Sequence, residues 1–274
     1  MGIRVAYQGE PGAYSEAAAI EYFGGQAETF PQESFEALFA AVESGACEFG
    51  LVPIENSLAG SIHQNYDLLQ QHTLAIVGEH LLRVHHCLIG LPGADLAGIR
   101  RVISHPQALA QSALFLRALP GVKVEAVYDT AGSVKMVLEG GDPSVAAVAS
   151  SRAAETYRMR ILAEGIEDDP ANFTRFLVIS RTPVRPGEHA KTSIVFSVPN
   201  VPGSLYKALG IFATRGLDLT KIESRPMVGK PWEYLFYIDF NGSTEDPRVL
   251  AALGELEQDA AVLRVLGSYP RYKF

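Results

Sequence analysis

Arg181-Thr182-Pro183-Val184-Arg185-Pro186-Gly187-Glu188-His189 carries two prolines, a glycine and no hydrophobic periodicity, which is the composition of a linker. The chain reads differently on its two sides. Before it, strand-length apolar runs at 3–7, 49–54, 74–77 and 81–89 mix with helix-period stretches at 13–23, 34–44 and 62–71. The alternation then restarts, with strands at 101–104, 122–127, 145–149 and 161–163 and helices at 106–119, 131–139 and 151–157. Repeated βα units predict largely parallel sheets with helices on both faces. Two such blocks predict two α/β lobes with a cleft between them, and ligands at the carboxyl ends of strands. After the linker the order is strand 193–198, helix 203–215, strands 219–224 and 234–240, helix 247–257 and strand 262–268. This βαββαβ order is that of the ferredoxin-like split motif, an α+β unit. The expected division is therefore 1–182, a linker over 183–190, and 191–274.

Composition narrows the function. A length of 274 residues fits about two domains. A formal charge of −8 with no Lys/Arg cluster argues against a nucleic-acid surface. An anionic ligand must then be held by local donors, since the overall field is screened beyond about 8 Å. Cys47 and Cys87 are the only cysteines, so no disulfide framework can be read. No apolar run approaches the ~18 residues a membrane span needs. The first residues, Met1-Gly2-Ile3-Arg4-Val5-Ala6, read as a strand and not as a signal peptide. A soluble cytoplasmic protein is expected. The His85-His86 doublet cannot chelate one metal from a strand, because neighbouring side chains face opposite ways. No metal and no cofactor are expected, and no Gly-x-Ser-x-Gly elbow supplies a nucleophile.

Four segments carry polar chemistry at element ends. In Asn172-Phe173-Thr174-Arg175-Phe176 a hydroxyl and a guanidinium open a buried strand. The pair suits a small carboxylate substrate whose leaving group needs a proton. It equally reads as an ordinary β-branched residue beside a solvated charge. Gly9-Glu10-Pro11-Gly12 is an anion-binding loop or a plain turn, since its spacing matches neither the dinucleotide fingerprint nor a P-loop. In Pro53-Ile54-Glu55-Asn56-Ser57, Glu55 and Asn56 offer an acceptor and an amide to the cleft, or serve turn chemistry. Ser104-His105-Pro106-Gln107 starts a helix on which Gln111 lies one turn beyond Gln107; its Ser and His also suit capping.

Taken together and in this order, these segments resemble the prephenate dehydratase family over nearly the whole chain. The opening run from Tyr7 to Glu16, the stretches Pro53 to Ser57, Ser104 to Gln111 and Asp129 to Ser133, and Thr174-Arg175-Phe176 carry the likeness. The segment after the linker is similar to an ACT regulatory domain, through Asn200-Val201-Pro202-Gly203-Ser204-Leu205 and Glu223-Ser224-Arg225-Pro226.

The resemblance implies a two-lobed, periplasmic-binding-protein-like (type II) catalytic domain. The implied reaction converts prephenate to phenylpyruvate, water and CO2 without cofactor or metal. Thr174, Asn56, Gln111 and Ser104 take catalytic positions by this likeness, with Glu55, Thr130 and Arg175 as substrate-binding candidates. Arg175 has a second reading as a structural brace. L-phenylalanine is the implied effector, at an interface between two ACT domains of a homodimer or homotetramer. Asn200, Gly203, Ser204, Leu205, Glu223, Ser224 and Arg225 are the implied effector contacts, although Ser204 stands where the family usually has alanine. Arogenate dehydratase is the rival within the same reaction class, and a non-catalytic amino-acid sensor is the rival outside it.

Overall fold

The computed structural model describes residues 2–272. The chain opens with β1 (Ile3–Gln8), α1 (Tyr14–Phe23), β2 (Ala27–Gln32), α2 (Phe35–Glu43), β3 (Phe49–Asn56), β4 (Gly60–Ser61), α3 (His63–Gln71) and β5 (Ala75–Arg83). It then crosses to a second lobe of β6 (Cys87–Gly90), β7 (Arg101–Ser104), α4 (Pro106–Gln111), α5 (Ala113–Arg117), β8 (Lys123–Ala126), α6 (Thr130–Gly140), β9 (Val145–Ala149), α7 (Ser151–Tyr157) and β10 (Arg160–Glu164). Finally β11 (Phe173–Ser180) returns to the first lobe. The first sheet runs β2-β1-β3-β11-β5, with β4 on β3, and the second runs β10-β6-β9-β7-β8.

Neither sheet is mainly parallel, contrary to the expectation from βα repetition. β1 is parallel to β2 and β3, but β11 is antiparallel to both β3 and β5. In the second lobe β7 is parallel to β8 and β9, whereas β6 pairs antiparallel with β9 and β10. Two crossings between lobes cause this. β11 and β6 are delivered by those crossings and enter against the direction set by the local βα units.

Local chemistry explains where the elements begin. Ser34, Asp129 and Ser150 each accept a backbone N–H as N-caps of α2, α6 and α7. Three elements depart from the sequence reading. β2 is an unforeseen edge strand, because Glu28, Pro31 and Gln32 hide its pattern; a proline is tolerated on an edge. β5 is one strand and not two, since Glu79 and His80 are buried within it. The helix over 106–119 breaks at buried Ser112, and the Asp168 carboxylate takes the Leu114 N–H at 3.0 Å.

The third unit holds β12 (Ala190–Ser197), α8 (Ser204–Ala213), β13 (Leu219–Pro226), β14 (Tyr234–Asn241), α9 (Pro247–Asp259) and β15 (Val262–Pro270), with sheet order β13-β14-β12-β15. All its strand pairs are antiparallel. One face carries Phe196, Ile238 and Phe240 against Phe212, Val249 and Leu256 of the two helices. The other face adds Val195, Leu235, Tyr237, Leu266 and Tyr269 to the core of the first lobe, around Leu69, Ile76 and Ile179. The two units therefore share one apolar core. Cys47 and Cys87 are free and buried. Among the described residues no helix is long and apolar enough to cross a membrane.

The shared core requires close backbone approach. A Cβ on Gly267 of β15 would stand 2.1 Å from the Ile76 carbonyl oxygen of β5. Gly267→Ala is expected to destabilise the chain by about 1–3 kcal/mol, the usual cost of overpacking. Denaturant unfolding followed by fluorescence measures this; an unchanged midpoint would show that the third sheet is not docked on β5 in solution.

Candidate active site

The two segments that join the lobes, 84–86 and 165–172, are bonded to each other. The Val84 N–H donates to the Asn172 carbonyl at 2.8 Å, and the Ile166 N–H donates to the His86 carbonyl at 3.1 Å. The Glu167 carboxylate accepts from the His86 N–H at 2.9 Å and lies 3.0 Å from His85 Nδ1. Burial disfavours that carboxylate, yet backbone N–H bonds and His85 hold it below its usual range. Against this hinge opens a pocket of about 170 Å³. Asn56 and Thr174 enter it from the first lobe, Gln111, His105 and Thr130 from the second, and His86 from the hinge.

Thr174 and Asn56 face each other across the β11–β3 ladder. The Asn56 carboxamide oxygen accepts from the Leu58 and Ala59 N–H groups at 3.1 and 2.9 Å, which fixes the amide orientation. Its nitrogen then donates toward Asn172 Oδ1 at 2.7 Å, the Phe173 carbonyl at 3.1 Å and Thr174 Oγ1 at 3.1 Å. The two amide hydrogens are shared among these three acceptors, so Thr174 accepts, and its own hydrogen has no protein acceptor among the described residues. A hydroxyl has one hydrogen to give. Here it is free for a ligand, and the incoming N–H makes it a stronger donor. His105 Nδ1 accepts from the Gln107 N–H at 3.2 Å, so in its neutral form the ring carries its hydrogen at Nε2.

Three sequence candidates lie elsewhere. Adjacent strand residues face opposite ways, so Arg175 points away from Thr174 and out of the pocket. Its guanidinium contacts Glu79 at 2.8 Å, Asp239 at 2.6 Å and Glu55 at 3.2 Å, and it donates to the Tyr269 hydroxyl at 3.3 Å. Burial alone would lower its pKa, but Asp239, Tyr269 and Glu79 outweigh that and hold it well above the usual value. Of the two readings of Arg175, these contacts support the brace. Glu55 leaves the pocket with it, pairing with Arg175 and at 2.5 Å with Lys221 of β13. Ser104 is fully buried and donates to the Val148 carbonyl at 2.6 Å, tying β7 to β9 beneath the site.

The glycine loop is an interlobe contact. The Gly12 carbonyl accepts from Ser150 Oγ at 2.7 Å, and a Cβ on Gly12 would meet Ala153 Cα at 2.6 Å. Its position at the meeting of the lobes leaves the turn reading standing.

The effector candidates fall into two groups. Ser204 lines a pocket of about 190 Å³ with Val201, Lys207 and Ile211 at the start of α8. Gly203 precedes it with φ of 87°, Asn200 donates to the Trp232 carbonyl at 3.0 Å, and Leu205 packs beneath the helices. Glu223, Ser224 and Arg225 lie on β13. Glu223 accepts from Ser61, and Arg225 grips the Asp67 carboxylate at 3.1 and 2.8 Å. In a single chain the second group does not line the first group's pocket.

His86 and Tyr14 also belong to the site, although the sequence reading assigned them no role. The histidine doublet was weighed only as a chelator, and a ring used for hydrogen bonding leaves no spacing signal.

With this geometry in place, sequence comparison is decisive. The family described as prephenate dehydratase matches residues 5–184, and the ACT domain family matches residues 192–258. The chain belongs to the prephenate dehydratase family. A relative in Arabidopsis thaliana, "Arogenate dehydratase/prephenate dehydratase 2, chloroplastic", is 50% identical over 279 residues, covering 98% of this chain and 73% of its own. Other relatives, from Petunia hybrida and Arabidopsis thaliana, carry the arogenate name alone. The structure of prephenate dehydratase in complex with L-Phe from Arthrobacter aurescens superposes with a TM-score of 0.90 at 33% identity, covering 98% of this chain and 90% of that one. A structure titled "GqqA- a novel type of quorum quenching acylases" superposes at 0.92 with 41% identity and 99% coverage of both chains.

The brace makes a separable prediction. Arg175→Met leaves Glu79, Glu55 and Asp239 without their shared cation, and is expected to cost about 3–5 kcal/mol of stability. Adding Asp239→Asn should recover part of the loss in denaturant unfolding. A substrate hook would behave otherwise, with KM rising and the unfolding midpoint unchanged.

Proposed function

We propose that the cleft eliminates water and CO2 from prephenate to give phenylpyruvate, with L-phenylalanine as effector at the ACT domain. The observation that carries this is the Thr174 hydroxyl, fed by Asn56 and free to donate into a pocket between two lobes. The ring hydroxyl of the substrate leaves as water only if a proton reaches its oxygen as the C–O bond breaks. The electrons of the bond to the departing carboxylate then complete the aromatic ring. Thr174 bonds to the departing oxygen, while the Gln111 amide and His105 line the opposite wall. A threonine hydroxyl is far too weak an acid to be the final proton source. Its part is donation and relay.

Among the described residues the pocket lining contains no lysine or arginine. A ring carboxylate bound there by neutral donors forfeits no ion pair when it departs as neutral CO2. This is what a decarboxylation asks of its surroundings, and it fits Arg175 being turned away.

Arogenate is the second reading, favoured by the names of the relatives. It differs by an amino group in place of the side-chain ketone. The acylase title of one neighbour draws no support from either cysteine or from Ser104. Acyl transfer by a covalent route needs an activated nucleophile. Burial pushes both cysteine thiols up, Cys87 to about 11, and Ser104 is committed to Val148.

Effector binding is supported by the ACT match and by the L-Phe complex of a relative. Two copies would bring Ser204 of one chain near Glu223, Ser224 and Arg225 of the other, as a homodimer or homotetramer requires.

The test is to give the pure protein prephenate or arogenate and follow phenylpyruvate by ultraviolet absorbance, or phenylalanine by chromatography. Prephenate is expected to turn over faster, and addition of L-phenylalanine is expected to change the rate. A large preference for arogenate installs the second reading, and no turnover of either removes both. Thr174→Val should lower kcat by about 100- to 1000-fold, the usual loss of one aimed donor, with the fold retained. Thr174→Ser should keep most of the activity.

A further inference from the structure

His86 is a nearly sealed imidazole, 2% exposed, on the segment that joins the lobes. Its backbone N–H is satisfied by Glu167, but its ring faces neither that carboxylate nor any metal-ligand cluster among the described residues. The two ring nitrogens have one contact each. Nδ1 lies 2.7 Å from the Tyr14 hydroxyl, and Nε2 lies 2.9 Å from Gln111 Oε1. Tyr14 comes from α1 of the first lobe and Gln111 from α4 of the second, so this chain of bonds crosses the base of the cleft.

Proton bookkeeping distinguishes two arrangements. Burial pushes the imidazole below its usual pKa and the Tyr14 phenol well above its own, so the ring is neutral and the phenol keeps its proton. A neutral ring has one N–H. With the hydrogen on Nδ1, the bare Nε2 would demand the Gln111 NH2 group, and Gln111 would offer the cleft only a carbonyl oxygen. That acceptor would face a substrate whose carboxylates and departing oxygen are also acceptors. With the hydrogen on Nε2, His86 donates to Gln111 Oε1 as found. Nδ1 then accepts from the Tyr14 hydroxyl, whose single hydrogen is shared between this nitrogen at 2.7 Å and the His85 carbonyl at 2.9 Å. The Gln111 amide nitrogen has no protein acceptor among the described residues, and Gln111 lines the pocket.

We infer that His86, as its Nε2–H tautomer, is a positioning residue that turns the Gln111 NH2 group into the cleft. Donors run one way, from Tyr14 to His86 to Gln111 to ligand, and each bond strengthens the next. The role in turnover rests on the dehydratase reading; the tautomer and amide orientation do not.

Two measurements test it. Nitrogen NMR of the intact protein with 15N-labelled histidine is expected to show His86 with Nδ1 unprotonated and Nε2 protonated. Tyr14→Phe should shift the Nδ1 resonance. Kinetically, His86→Leu should lower kcat on the order of 100-fold with little change in KM, the scale of loss from a misplaced group. His86→Gln, which keeps an N–H donor, should recover most of it. In a Gln111→Ala background, His86→Leu should cost less than about twofold, since coupled residues do not add. A protonated Nδ1, or an equal loss in both backgrounds, would overturn the inference. If the wild type turned over neither prephenate nor arogenate, the dehydratase reading would fail alone, and the NMR result would still decide the orientation of Gln111.

Discussion

A single buried guanidinium organises the molecule. Arg175 on β11 is ringed by carboxylates from three strands: Glu55 of β3, Glu79 of β5 and Asp239 of β14. A lone buried cation is prohibitively costly, so its partners must be present in the folded state. This fixes register. A slip of one residue would exchange the two faces of β11, burying Thr174 among the carboxylates and sending Arg175 into the cleft. The ladder shifts directly after Arg175, where Phe176 opposes Pro53 and Ile54 is left over. Proline has no N–H to give the ladder, and Asn65 instead donates to the Pro53 carbonyl at 2.6 Å. The bulge and the ion cluster together present Thr174 to Asn56 and keep the charges behind them.

The same cluster ties the cleft's donor pair to the third sheet. Thr174 and Arg175 share a peptide, as do Asn56 and Glu55. Arg175 reaches Asp239 of β14, and Glu55 reaches Lys221 of β13. The two residues that carry the cleft's donor pair are thus each one bond away from a charge held by the C-terminal unit. With an apolar core common to both units, displacement of β13 and β14 without displacement of β11 and β3 would break buried ion pairs. Coupling between two sites requires groups whose contacts differ between states, and these pairs are among the contacts available, with Arg225–Asp67 and Lys191–Glu79 beside them.

Much of this was legible in the sequence, and what was missed has physical causes. Hydrophobic period and linker composition were enough to read two α/β blocks and a βαββαβ unit. They could not reveal strand direction in the sheets, because direction follows from two lobe crossings that leave no periodic mark. The split reading of β5 came from Glu79 and His80, polar residues buried because Arg175 and Lys191 meet Glu79 while His80 packs against Tyr22 and Tyr272 and pairs with Glu21. Of the residues singled out in the sequence, Thr174, Asn56, Gln111 and Thr130 line one pocket, whereas Arg175, Glu55 and Ser104 do not. Strand alternation alone was enough to separate Arg175 from Thr174, and applying it to that pair would have placed the guanidinium on the far side.

The hinge explains why neutral hydrogen bonds can do this work. Asn56 and Thr174 belong to the first lobe, Gln111 and His105 to the second, and Val84 and His86 lie on a segment that joins the two. Groups near a hinge axis are displaced least when lobes open or close. An amide held by a residue near that axis would change direction less in such a motion than one held from a lobe tip. Long cationic side chains tolerate such sweeping because charge attraction is weakly directional; hydrogen bonds do not, since they weaken steeply off axis. Among the described residues the pocket lining has no Lys or Arg, so hydrogen-bond direction decides there, and the Tyr14–His86–Gln111 contacts lie beside the segment that joins the lobes.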